Sequence, residues 1–171
     1  MEKNTMEIIN GERLVLGTCY YPEHWDESLW RDDLRKMLEN GIEVIRIAEF
    51  AWSKIERYEG VFNYDFFDRF LDLAEEMGMK VIFCTPTATP PAWLTEKYPE
   101  VLNANMDGVL YRHGARRHYN YNSPKYQELT RIIVEKSASH YAKHPAIIGW
   151  QIDNELNCEK DVFYSESDTI A

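Results

Sequence analysis

The chain has 171 residues, long enough for one folded core and too short for two ordinary domains. A hydrophobic content of 44% with 13% aromatics marks a globular protein and argues against disorder. The net charge of -10 disfavours nucleic acid and anionic membrane surfaces as partners.

In chain order, Leu14-Val-Leu-Gly-Thr18 reads as a first strand. An aromatic loop, Cys19 to Trp25, leads to Asp26, the N-cap of a helix from Glu27 to Asn40 that Gly41 ends. Leu29, Trp30, Leu34, Met37 and Leu38 form its apolar stripe. Glu43 to Ala48 is a second strand. After a loop through Trp52 and Gly60, a helix runs from Tyr64 to Met77, with Phe66, Phe67, Phe70, Leu71 and Leu73 at helical spacing, and Gly78 closes it. Met79 to Cys84 is a third strand. The long segment Thr85 to Ser123 holds Pro86, Pro90, Pro91 and Pro99 and reads as a functional loop. Ser123-Pro124 starts a helix that continues to Lys143, and Ile147 to Glu155 is the fourth strand. Ser165 to Asp168 resembles a helix start that is cut short at Ala171, which predicts a longer polypeptide.

Strands alternating with helices predict a parallel sheet. Two architectures fit: an open doubly wound sheet, or the first four βα units of a (β/α)8 TIM barrel. A nucleotide-binding doubly wound fold would carry a glycine-rich turn after its first strand; Cys19-Tyr-Tyr-Pro-Glu-His-Trp25 stands there instead. The barrel also accounts for Arg46, which faces opposite Ile45 and Ile47 and in an interior needs a carboxylate beside it. Barrel chemistry belongs at the carboxyl ends of strands, where the sequence places Thr18, Glu49, Thr85 and Glu155.

In the fourth strand, period-two alternation puts Ile148, Trp150 and Ile152 on one face and Gly149, Gln151, Asp153 and Glu155 on the other. A polar face ending in an acid describes a pocket wall, since buried polar groups must find partners. Glu155, beside the Asn154 amide, suits general acid/base chemistry; capping or a salt bridge is its plain alternative. Glu49 is a rival acid whose bland role is to pair with an arginine. Arg116 and Arg117 could hold sugar hydroxyls or a carboxylate, or simply order their loop. Tyr20, Tyr21, Trp25, Trp52, Trp93, Tyr119 and Tyr121 could stack on a sugar ring or pack in the core. The histidines lack metal-ligand spacing, and His118 reads as a hydrogen-bonding loop residue. The three cysteines, Cys19, Cys84 and Cys158, lack Cys-x-x-Cys spacing and read as reduced thiols in a cytoplasmic protein. No apolar run reaches the roughly 18 residues of a membrane span, and Met1 to Asn10 has no secretion signal.

Tyr20-Tyr-Pro-Glu-His-Trp25, Arg46-Ile-Ala-Glu-Phe-Ala-Trp52, Thr85-Pro-Thr-Ala-Thr-Pro-Pro-Ala-Trp93, Arg116-Arg-His-Tyr119 and Gly149-Trp-Gln-Ile-Asp-Asn-Glu155 resemble the catalytic barrel of glycoside hydrolase family 42 β-galactosidases. The likeness spans nearly the whole chain after its first ten residues. It implies a TIM barrel, with residues 1–171 as its amino-terminal portion, that hydrolyses terminal β-galactosides with retention, in a homo-oligomer. By the same resemblance Glu155 is the acid/base, and Asn154 and Arg116 bind the substrate. The nucleophile follows strand seven, outside this chain, so the 171 residues alone should be inactive. Some members carry a cysteine after Arg-Arg-His-Tyr that joins a zinc site; Asn120 stands there, and the expectation is no metal and no cofactor. A noncatalytic carbohydrate-binding half-barrel is the alternative if the polypeptide ends at Ala171. A related barrel glycosidase with another sugar preference is a second.

Overall fold

The computed structural model describes Ile8 and residues 13–114, 117–156 and 162–170. In chain order these form β1 (Leu16–Cys19), α1 (Glu27–Glu39), β2 (Ile42–Ile47), α2 (Trp52–Ile55), β3 (Glu56–Tyr58), β4 (Val61–Phe62), α3 (Asp65–Met77), β5 (Lys80–Cys84), α4 (Ala92–Lys97), α5 (Pro124–Tyr141), β6 (Ile147–Gln151) and α6 (Glu166–Ile170). The chain divides into two compact units. One comprises Met1–Glu49, Tyr64–Thr85 and His140–Ile152; the other comprises Phe50–Asn63, Pro86–Ser139 and Asp153–Ala171.

The first unit is a four-stranded parallel sheet in the order β1-β2-β5-β6. Each strand pairs with its predecessor and the order never reverses, whereas a doubly wound sheet must turn back at a switch point. This is the winding of a (β/α)8 barrel, here its first four βα units. Ile45, Ile47, Val81, Phe83 and Trp150 share one face by register. Phe83 meets Phe67 of α3, Tyr141 and Trp150 with ring centroids 5.8, 4.8 and 5.3 Å apart. Trp30 of α1 meets Phe66 and Phe70 of α3 edge-on, both at 5.1 Å, and donates its indole N–H to the Pro22 carbonyl at 3.2 Å. The predicted α1 stripe is thus only partly covered, because Trp30 and Leu34 are buried and Leu29 is exposed.

Asp26 caps α1 by accepting the Ser28 N–H at 2.9 Å, and Gly78 ends α3 in the left-handed conformation, φ 78°, as their residue types predict. Four expectations need correction. β1 starts at Leu16 and runs to Cys19. The loop through Trp52 and Gly60 contains α2 and the β3–β4 hairpin, and the long loop after β5 contains α4. The fourth strand ends at Gln151, because Asp153 and Glu155 take positive φ and leave the ladder.

The second unit holds the α2–β3–β4 segment, α4, most of α5 and α6. Tyr119 and Tyr126 stack at 4.8 Å, and their hydroxyls donate to the carbonyls of Ala88 at 3.1 Å and Thr87 at 2.8 Å. Asn120 donates to Ser165 Oγ at 2.5 Å and Asp168 Oδ2 at 2.7 Å, tying this region to the start of α6. Ser165 is the cap expected there: its N–H donates to Asp168 Oδ2 at 3.0 Å, and its carbonyl accepts the Asp168 N–H at 3.0 Å.

Candidate active site

Just beyond β6, three residues set the second unit's chemistry. Asp153 (φ 53°) and Glu155 (φ 47°) flank Asn154 in left-handed conformations, and Arg117 has φ 56°. Such a conformation costs a non-glycine residue about 1–2 kcal/mol, so surrounding contacts must hold it. The Arg117 guanidinium, 3% exposed, does so. Its Nη2 donates to the Glu155 carbonyl. Its Nη1 donates to Tyr119 at 2.6 Å, to Tyr121, and to Asp153 Oδ1 at 3.3 Å. Asp153 in turn accepts the Asn154 N–H at 2.6 Å and the Thr87 hydroxyl at 2.7 Å. Burial would drag the guanidinium pKa down, yet the tyrosine oxygens and Asp153 outweigh it and hold the value above the ordinary one. Burial, aided by Tyr119, also pushes the Tyr121 hydroxyl up, so both tyrosines meet Arg117 as neutral phenols.

Beside this clamp lies a cavity of about 360 Å³ bordered by Phe50, Pro90, His113, Arg117, His118 and Asn154. That volume lies at the small end of ligand sites, about 300–1,000 Å³. Phe50 and Pro90 offer apolar surface, and Asn154 and the imidazoles offer hydrogen bonds. His113 Nδ1 is held by the Thr95 hydroxyl at 2.9 Å and its ring packs edge-on against His118 at 4.9 Å. Glu155 is exposed.

The first unit has its own polar cluster, on the sheet face opposite Phe83. Arg46 Nη1 donates to Gln151 Oε1 at 2.7 Å, and Nη2 contacts Cys19 Sγ at 2.9 Å and Glu49 Oε2 at 2.5 Å. Glu49, 3% exposed, also accepts from the Tyr21 hydroxyl. Burial and that carboxylate push Tyr21 up to about 12. The interior arginine has the carboxylate it requires, and Glu49 performs the pairing that is its plainer role.

Of the sequence-derived site residues, Asn154 borders the cavity and Glu155 follows it on a clamped main chain. Arg116 lies outside the described residues, as does Cys158. Arg117 holds a carboxylate and a backbone carbonyl, the loop-ordering alternative considered for it. The sequence reading missed Asp153 as the partner of Arg117, since 36 residues separate them, and missed Glu56, whose buried carboxylate accepts the Trp52 indole at 2.7 Å and the Gly60 N–H at 2.8 Å. The i,i+4 spacing of Trp52 and Glu56 was the available signal. Elsewhere in the first unit, Asp72, Glu75 and His144 bring ligand atoms within 4.8 Å of one another. His144 Nδ1, however, accepts the Ala146 N–H at 3.3 Å, which leaves the proton on Nε2, toward Asp72 at 3.5 Å.

Comparison with known proteins gives these residues a context. The family model for glycoside hydrolase family 42, described as β-galactosidase, matches residues 19–170. The chain is 43% identical over 147 residues to β-galactosidase Bga of Halorubrum lacusprofundi, covering 86% of this chain and 21% of that protein. It is 44% identical over 148 residues to β-galactosidase BgaA of a Thermus species, covering 86% and 23%. The crystal structure of β-galactosidase from the psychrophilic Marinomonas ef1 superposes with a TM-score of 0.88 at 42% identity, covering 92% of this chain and 24% of that one. The chain therefore spans between a fifth and a quarter of the length of these relatives. With the match running from the end of β1 into α6, the chain belongs to glycoside hydrolase family 42, the β-galactosidase family.

Proposed function

We propose that this chain is the amino-terminal portion of the catalytic barrel of a retaining β-galactosidase and supplies its proton donor, Glu155. The observation that carries the reading is the segment after β6, where a main chain clamped by Arg117 presents Asn154 at a cavity and continues directly into the solvent-exposed Glu155. The relatives, all β-galactosidases, suggest the substrate class: terminal non-reducing β-D-galactosides.

In this reading a carboxylate from a later barrel strand attacks the anomeric carbon while Glu155 gives its proton to the departing glycosidic oxygen. Glu155, now a carboxylate, then takes a proton from the water that cleaves the galactosyl ester and restores both groups. Such a pair stands about 5–5.5 Å apart in retaining enzymes. The Asn154 amide and Arg116 bind galactose hydroxyls. The chemistry needs no metal or cofactor. The free thiols of Cys19 and Cys84 suit a reducing cytoplasmic setting. A homo-oligomer and a place in carbohydrate metabolism complete the proposal.

The test uses the complete polypeptide that carries this chain. Glu155→Ala is expected to slow galactosides with poor, alkoxide-like leaving groups by about 10²–10⁴-fold and activated aryl galactosides far less, because the latter need no proton. Equal losses on both substrate types would refute the assignment.

A further inference from the structure

Glu155 and Asp153 hold left-handed conformations on either side of Asn154, and an unrestrained chain would relax toward extended backbone. The residues that prevent this act by gripping the main chain and the Asp153 carboxylate of the segment. Arg117 grips the Glu155 carbonyl with one nitrogen and Asp153 with the other, while the second Asp153 oxygen is pinned by Thr87. A buried ion pair of this kind adds little net stability, because desolvation offsets its attraction. It does impose geometry: the guanidinium is a planar fork whose two ends fix two points on the segment.

We infer that the Arg117–Asp153 pair is a positioning device that sets where Glu155 delivers its proton. The inference rests on the reading of Glu155 as the donor. Displacement of a donor by about 1 Å can cost on the order of 100-fold in rate. The loss should fall on the protonation step, since the two terminal nitrogens of Arg117 donate to protein groups: Tyr119, Tyr121, Asp153 and the Glu155 carbonyl. Lysine keeps the charge at position 117 but has no fork, so it cannot bridge both points.

The experiment compares the complete polypeptide with its Arg117→Lys, Tyr121→Phe and Glu155→Ala variants on a series of aryl and alkyl β-galactosides, together with pH profiles of kcat/KM. Arg117→Lys is expected to lose about 10- to 100-fold on poor leaving groups and much less on activated ones, and to shift the alkaline limb that reports the donor's proton. Tyr121→Phe removes one hydroxyl and leaves the other three contacts, so it remains testable even if Arg117→Lys does not fold; a smaller loss with the same selectivity is expected. Losses independent of leaving group in the folded variants, or no loss, would overturn the positioning role while leaving Glu155 as donor. If Glu155→Ala itself fails to discriminate between the substrate types, the donor reading falls, and this inference falls with it.

Discussion

Arg46 and Glu49 mark what single residues reveal in a sequence and what they hide. An arginine in an apolar strand announces that it needs a carboxylate. It does not say which, and residues three apart on a regular strand point to opposite faces. The backbone supplies the answer: Ala48, at φ 70°, turns the chain so that Glu49 comes back to Arg46. Glu56 was hidden more completely, because its one signal, the i,i+4 spacing from Trp52, carries weight only if the stretch is known to be helical, and it reads as a loop. Its pKa is raised, by burial first, against the Gly60 and Trp52 hydrogen bonds that favour the charged form. A raised carboxyl means that the folded state holds its proton more tightly than the unfolded state. Its contribution to stability is therefore full below the ordinary value of 4.5 and is lost as pH rises through the raised one. Thermal unfolding of Glu56→Gln should show a flatter loss of stability over that window than the parent. It should also show a penalty of about 1–3 kcal/mol at neutral pH, since an amide offers one acceptor oxygen to two donors. An unchanged pH slope would contradict the assignment.

At the scale of elements, the long apolar stripes and their caps were legible because Asp26 and Gly78 mark helix ends by their own chemistry. The four principal strands were legible as apolar runs between those helices. The end of β6 was not, because aspartate tolerates both extended and left-handed backbone, and alternation alone extends a strand until tertiary contacts stop it. The short α2, α4 and the β3–β4 hairpin fall below the length at which periodicity speaks. The α1–α3 contact offers a direct check on which helical face was read correctly. Trp30→Ala, deleting a side chain 2% exposed with two edge-on ring partners, should cost about 3–5 kcal/mol. Leu29→Ala, one residue away and 46% exposed, should stay within about 0.5 kcal/mol. Chemical denaturation of both variants measures the difference, and similar losses would mean that α1 packs by another face.

For the whole molecule, strand order and family could be read in advance because five separated motifs agree with one winding, and the structure gives that winding as β1-β2-β5-β6. Not legible was the Arg117–Asp153 clamp, whose members meet only through the fold. β1 and β6 are the outer strands of the sheet, each with one edge unpaired by the others, as expected of one sector of a barrel. The central claim is that Glu155 serves as proton donor to a nucleophile on another part of the barrel. Its most direct test is to remove Glu155 and offer a small anion in its place. With the complete Glu155→Ala polypeptide and an activated aryl β-galactoside, azide should restore turnover and yield β-galactosyl azide, since the galactosyl-enzyme ester still forms and the vacated pocket admits the anion. Absence of an azide adduct, or an adduct of α configuration, would contradict the account.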